Sequence, residues 1–331
     1  MVEDTQKSIL ITGANGFIGS RMCRLFLDEG WRVIAGVRQT SDLKLLEGLD
    51  IEYRYGDVTR PDTLPEMVKG VDYIIHNAGL VKAKKRKTFF EVNEGGTRNL
   101  FEAVLEHNPE VKKVVYISSL AAAGPSVGGR PVTELDKPHP ITVYGESKLA
   151  GERVALSYRD KLNVAVLRPS GVYGPGDREM YDLFRTVYRH LRPIVGDSRR
   201  KIQLVHVDDL CRGIYKAVVS DTKSGEVYFI CESRAYTMRE MMEIFQKSCD
   251  RWAVPLAVPG WLFKTIALVS ERSFRLVGAT PFLTVNKSAE LLAAWEVATE
   301  KARAELGFEA QIPLEKGVKE TYAWYIEKGW L

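Results

Sequence analysis

Lys7-Ser8-Ile9-Leu10-Ile11-Thr12, followed at once by Gly13-Ala14-Asn15-Gly16-Phe17-Ile18-Gly19, decides the fold. The first six residues read as a short, buried, β-branched strand. A helical pattern then runs through Arg24 to Leu27. The glycine spacing is G-x-x-G-x-x-G. Gly13 permits a tight turn, Gly16 lets backbone N–H groups approach a pyrophosphate at the helix N-terminus, and Gly19 lets the helix lie close on the sheet. A glycine triplet alone is a weak signal. A strand before it and a helix after it make it a dinucleotide-binding fingerprint.

Beyond this stretch, strand and helix patterns alternate. Strands are expected near Ser8–Thr12, Arg32–Val37, Ile51–Tyr55, Tyr73–His76, Val114–Ser118 and Asn163–Leu167, and the longest helices near Thr88–His107 and Tyr144–Tyr158. That rhythm means βαβ units: an α/β fold of Rossmann type, with a doubly wound parallel sheet. After Pro175 the rhythm breaks. A helix is expected over Arg178–His190, a strand near Ile202–Val205, a helix from Val207 and a returning strand at Val227–Ile230, with mostly helix beyond Tyr236. The expected division is therefore a nucleotide-binding domain over 1–175, rejoined by 202–232. A smaller, mainly helical substrate lobe takes 176–201 and 233–331, and the substrate sits between them at the strand C-termini.

The 331 residues are 45% hydrophobic, enough for a large core and a second lobe. A net charge of +4 is too mild to imply nucleic acid. Met1–Lys7 is polar with no apolar signal core, and no apolar run is long enough to span a membrane. The four cysteines, Cys23, Cys211, Cys231 and Cys249, have no C-x-x-C spacing, so a reducing cytoplasm is expected.

Tyr144-Gly145-Glu146-Ser147-Lys148 carries the chemistry. Its tyrosine and lysine share one helix face. A free tyrosine has a pKa near ~10, and a neighbouring ammonium lowers it. The pair is thus a candidate acid/base for a hydroxyl or carbonyl that loses or gains a hydride.

The two motifs, in this order, resemble the extended branch of the short-chain dehydrogenase/reductase superfamily (the NAD-dependent epimerase/dehydratase superfamily). Further stretches carry the same resemblance: Asp57-Val58 at the adenine side, His76-Asn77-Ala78-Gly79 lining the cofactor, Asn93 on a helix, and Val114-Val115-Tyr116-Ile117-Ser118-Ser119. Leu167-Arg168-Pro169-Ser170-Gly171-Val172-Tyr173-Gly174 and Val205-His206-Val207-Asp208-Asp209-Leu210 also match that branch. The resemblance implies Tyr144 as proton donor or base and Lys148 as the residue that depresses its pKa and holds the nicotinamide ribose. It implies Ser119, five residues before Gly124, as the group that steadies the substrate oxygen. It implies a cofactor site of Gly13, Asn15, Gly16, Phe17, Ile18, Gly19, Asp57, Val58, Asn77, Ala78, Gly79, Asn93, Ser118 and Pro169 together with Tyr144 and Lys148. For Asn93, helix packing or main-chain bonding is an equal reading. No metal is expected: His206, Asp208 and Asp209 resemble a strand-to-helix junction, with Asp208 as a candidate N-cap.

The second strand ends Ala35-Gly36-Val37-Arg38. An acid there would suit the ribose hydroxyls of NAD, whereas Arg38 suits a 2′-phosphate and Lys44 adds a second cation. The same spacing resembles NADPH-using plant dihydroflavonol reductases. NADP(H) is therefore expected ahead of NAD(H). Ser119-Leu120-Ala121 lacks the carboxylates that sugar dehydratases resemble each other in, and Gly171 replaces the asparagine common in sugar epimerases. The Pro-Ser form is similar to the 3β-hydroxysteroid dehydrogenase and dihydroflavonol 4-reductase group. That implies hydride transfer to or from a ketone or secondary alcohol on a largely apolar molecule. A nucleotide-sugar epimerase with tightly bound NAD and a non-catalytic nucleotide sensor are the alternatives. The apolar Trp261–Val269 reads as a lid, a helix on a membrane surface, or a packing contact, and Lys82–Lys87 as a basic loop at the cleft mouth or a solvated one. The two long helices resemble those of the family's four-helix dimer bundle, implying a homodimer.

Overall fold

Every residue of the strand Ser8–Thr12 (β1) is buried, as a strand covered by helices on both faces must be. The computed structural model describes residues 6–276 and 284–331. Met1–Thr5, which open the N-terminal stretch read above, and residues 277–283 of the C-terminal one lie outside the described residues.

Six more strands join β1: Arg32–Val37 (β2), Glu52–Tyr55 (β3), Tyr73–His76 (β4), Lys113–Ile117 (β5), Val164–Pro169 (β6) and Glu226–Ile230 (β7). They form one seven-stranded sheet in the order β7-β6-β5-β4-β1-β2-β3, parallel throughout. The registers Ile9↔Val33 and Ile9↔Tyr73 set β1 between β2 and β4. The strand order reverses there, and the C-terminal ends of β1 and β4 open a crevice. One face of the sheet packs on helices Phe17–Asp28 (α1) and Val207–Val219, through Met22, Phe26, Leu210 and Ile214. The other packs on Gly96–His107 (α2) and Val143–Ser157 (α3), through Leu100, Phe101, Val104 and Ala155.

A smaller core lies beside the sheet, where Phe184, Met242 and Phe245 meet Leu314, Val318 and Tyr325. Three expectations need correction here. The helix expected over Thr88–His107 is Arg86–Phe90, then a π-helical turn at Glu91–Gly95, then α2. The helix expected over Arg178–His190 is only Tyr181–Tyr188, because the Asp177 carboxylate accepts from the Glu179 and Met180 amides (both 2.8 Å) and His190 turns to a φ of 63°. Beyond Tyr236 helices predominate, as expected, with one added strand, Val254–Val258, that pairs in parallel with Leu191–Val195. The third correction is that 233–331 does not lie wholly in that smaller core. Ala302, Leu306 and Phe308 join the sheet's own core, and the buried Asp209 carboxylate accepts from the Gln311 and Ile312 amides, both at 2.8 Å.

Gly13 has a φ of 66°, which an L side chain rarely adopts. At Gly19 the constraint is contact: an added Cβ would stand 2.2 Å from the Gly13 carbonyl oxygen and 2.8 Å from the Ala14 Cα. Both obstacles are backbone, so neither can rotate away. Gly19→Ala is expected to lower stability by about 3 kcal/mol, read as a fall in the urea midpoint. An unchanged midpoint would mean that α1 does not rest on the glycine turn.

Candidate active site

Ser119 ends the run that follows β5 and caps the short helix Leu120–Ala123, its Oγ accepting from the Ala121 amide at 3.2 Å. Thr142 caps α3 in the same way, accepting from Gly145 N at 3.1 Å. The two caps set Ser119 beside Tyr144, near enough for the serine hydroxyl to lower the tyrosine's pKa. One turn along α3, the Lys148 Nζ donates to the Ile117 carbonyl at 2.7 Å and lies 4.5 Å from the centre of the Tyr116 ring.

The serine pair divides its labour. Ser118 Oγ donates to the Glu152 carboxylate at 2.5 Å, and Arg168 forks onto the same carboxylate at 2.9 and 2.7 Å. Glu152 and Arg168 are 1% and 4% exposed, so this is a buried ion pair. Sequence reasoning assigned Glu152 no role. The signal available was its position, four residues beyond Lys148 on the same helix face.

Electrostatics separate the two catalytic candidates. Burial pushes Tyr144 up to about 12; the Ser119 hydroxyl opposes the shift, and Glu290 and Glu179 add to it. Burial pushes Lys148 down to about 7, partly opposed by Glu152. Burial therefore outweighs any lowering of the tyrosine by Lys148. The ammonium is turned toward Ile117, and its own charge is what burial weakens.

The glycine turn sits beside this group. Gly16 caps α1 with no side-chain bond, so the first-turn amides of Phe17, Ile18 and Gly19 have no intrahelical partner. A backbone cradle closed to side chains, at a helix N-terminus, fits a pyrophosphate. Asn77 Nδ2 reaches the Gly13 carbonyl at 3.4 Å, and Ala78 N donates to Thr12 Oγ1 at 3.0 Å. A Cβ at Gly79 would stand 3.2 Å from Asn93 Oδ1 and 3.5 Å from Lys148 Nζ, so these three are gathered. Asn93 itself is occupied within the protein. It bonds Leu80 N and O at 2.7 and 3.0 Å and Ser147 Oγ at 2.9 Å, from the π-helical turn. Pro169 closes β6 opposite Ile230.

Arg38 and Lys44 lie at the far side, both exposed, after β2. Asn15 Nδ2 ties their loop to the glycine turn through the Asp42 carbonyl at 3.2 Å. Asp57 binds the Thr59 amide and hydroxyl at 2.9 and 2.7 Å. Burial would raise its pKa, yet those bonds and the Arg38 charge hold it below the usual range. Val58 is buried beneath Gly96.

Other groups are structural. His76 lies between Thr12 Oγ1 (2.9 Å) and Thr97 Oγ1 (3.1 Å), and burial, with Lys148 nearby, drives it down to about 3. His206, not Asp208, is the N-cap of Val207–Val219, its ring accepting from Asp208 N at 3.3 Å, because Asp208 already sits within the first turn. Among the described residues no histidine, cysteine and carboxylate cluster could hold a metal. All four cysteines are buried and their thiols pushed up by burial. In the basic loop Lys82 pairs with Glu179 (2.7 Å), Arg86 with Glu146 (2.6 Å) and Lys87 with Glu91 (3.1 Å).

A nucleotide cradle, a tyrosine–serine contact and a buried lysine thus meet at the C-terminal ends of β1, β4 and β5. The NAD dependent epimerase/dehydratase family model matches residues 9–231. The chain belongs to that family. The ceramide reductase of Caulobacter vibrioides is 29% identical to it over 100% of this chain and 98% of its own. The 3 beta-hydroxysteroid dehydrogenase/Delta 5→4-isomerase of Mycobacterium tuberculosis is 28% identical over 96% of this chain and 90% of its own. The dTDP-glucose 4,6-dehydratase of Streptomyces venezuelae, solved with NAD bound, is 25% identical, with a TM-score of 0.77 over 98% of each chain. This family member is an NAD(P)-dependent oxidoreductase of the extended short-chain type.

A depressed lysine has a thermodynamic signature. Below pH 7 Lys148 is protonated both folded and unfolded, so its burial cost is fully present. Between about 7 and the unfolded value near ~10.4 only the unfolded chain binds the proton, and the cost shrinks as pH rises. Lys148→Met is therefore expected to raise the Tm of the ligand-free protein more at pH 6 than at pH 9. An equal change at both pH values would show that Lys148 titrates normally.

Proposed function

We propose that the enzyme reduces a ketone to a secondary alcohol on a largely apolar molecule, with NADP(H) as the preferred cofactor over NAD(H). The observation that carries this reading is the Tyr144–Ser119 contact beside Lys148. With its pKa held at about 12, Tyr144 is protonated at neutral pH and is poised as an acid. The bound nicotinamide supplies the hydride. Tyr144 Oη donates the proton to the substrate oxygen, Ser119 Oγ steadies the charge developing there, and protonated Lys148 favours the phenolate left behind. Hydride and proton together account for the two hydrogens gained by the carbonyl.

Arg38 supports NADP(H). It is exposed at the end of β2, where an acid would serve NAD, and Ser41 Oγ accepts from its backbone N–H at 3.1 Å. Steroid and ceramide, named in two relatives, are both apolar, and Gly171 offers a sugar diphosphate no side-chain bond. Segment 176–201 and those described residues of 233–331 that pack in the smaller core form the substrate side in this reading. We place the enzyme in the cytoplasm, on the strength of its four free thiols. No helix among the described residues is long and apolar enough to cross a membrane. A homodimer is also proposed: Phe90 and Leu149 line an outward groove between Arg86–Phe90 and α3. Sedimentation as a monomer would refute that part.

Calorimetry of NADPH against NADH, with wild type and Arg38→Ala, tests the cofactor. NADPH is expected to bind more tightly, and the variant to lose about tenfold or more of that preference. Equal binding, or NAD retained without exchange, would instead favour a nucleotide-sugar epimerase. Tyr144→Phe is expected to bind NADPH unchanged while losing about 10²–10⁴ of kcat. Retained turnover would remove Tyr144 from the chemistry.

A further inference from the structure

The helix Gly260–Leu276 (α4) has its amphipathicity reversed. Its inward stripe is Phe263, Ala267, Ser270 and Phe274, and Ala267 and Ser270 are its buried residues. Trp261, Leu268 and Val269 point to solvent instead, at 71%, 42% and 57% exposure. The preceding strand Val254–Val258 is exposed along most of its length, and Trp252 before it is 66% exposed. Eight of the nineteen exposed large hydrophobic residues among the described residues fall within 252–269. Single exposed apolar residues need no explanation, but a concentrated patch marks an interaction surface.

Charge selects the occupant. Lys264 and Arg272 are exposed on the same helix, while its one described acid, Glu271, accepts from the Val285 amide at 3.0 Å. A second copy docked by two-fold symmetry would set this cationic face against itself, and like charges at an interface cost affinity. An anionic lipid surface neutralises the cations and takes the apolar groups. Tryptophan favours that water–lipid boundary, and lysine and arginine favour anionic headgroups. A helix of 17 residues, about 26 Å long, lies flat there rather than crossing.

We propose that residues 252–272 dock the enzyme peripherally on an anionic membrane surface through Trp252, Trp261, Leu268 and Val269, with Lys264 and Arg272 at the headgroups. This inference rests on the surface alone and is independent of the substrate proposed above.

Vesicle flotation tests it without substrate. The full chain is mixed with vesicles of phosphatidylcholine, or of phosphatidylcholine with phosphatidylglycerol. The expected result is stronger partition onto the phosphatidylglycerol vesicles, falling as salt rises. Trp261→Ser with Val269→Ser should lose partition onto both vesicles. Lys264→Glu with Arg272→Glu should lower partition onto the anionic vesicles at least about tenfold. NADPH or NADH binding retained in each variant shows that it is folded. No flotation of the wild type, equal partition onto the two vesicles, or variants that float like wild type would each overturn the proposal. So would self-association that Trp261→Ser abolishes in a protein that binds no vesicle, since the occupant would then be a second copy.

Discussion

The buried pair of Glu152 and Arg168 fixes the face that α3 turns inward. Tyr144, Lys148 and Glu152 follow one another at four-residue steps, so they share one side of the helix. A carboxylate taken out of water must keep its partner: removing one member of such a pair typically costs about 3–5 kcal/mol. Arg168 comes from β6, and Ser118, on the same carboxylate, directly follows β5. One carboxylate therefore ties the helix to two adjacent strand ends. Any rotation of α3 that took Tyr144 away from Ser119 would also pull Glu152 from Arg168. The chemistry inherits its alignment from an interaction that takes no part in it.

The same dry interior sets the charges. It makes Tyr144 a weaker acid and Lys148 a weaker base, because in each case burial disfavours the ionised form. It also keeps His76 neutral between two threonines, close to a lysine whose charge would otherwise repel it. The site is thus nearer to neutrality than its residue types suggest. A bound anionic cofactor would meet little fixed positive charge in the depth of the crevice. Its phosphates would be met mainly by backbone amides at the start of α1 and by cations at the rim.

Much of this was legible in the chain. β1, β2 and β4 match the expected bounds because strands buried on both faces must be runs of apolar, largely β-branched residues. The glycine turn was readable because only glycine satisfies its contacts, and Tyr144 and Lys148 because their spacing is helical. What escaped was set by tertiary contact. Leu191–Val195 and Val254–Val258 each carry a proline and lie half or fully exposed, so neither reads as a strand. Glu152 on a helix reads as solvated until Arg168 is placed beside it. Asp208 has the right chemistry for a cap, but the helix begins two residues too early for it. The net direction of the tyrosine shift is not readable from spacing, which reports nearness and neither burial nor where an ammonium points.

The chain passes from the sheet into the smaller core after β6, returns for β7, leaves again, and comes back at Ala302–Phe308, where Asp209 grips Gln311 and Ile312. Wide opening of the crevice would have to break buried bonds at several of these crossings at once. The Lys82–Glu179 bridge is different: it is exposed on both sides, and such bridges are worth at most about 1 kcal/mol. It joins the loop after β4 to the segment beyond Pro175. Breaking that bridge, with salt or by replacing either partner, would free the loop beyond β4 at little cost and leave the buried crossings intact.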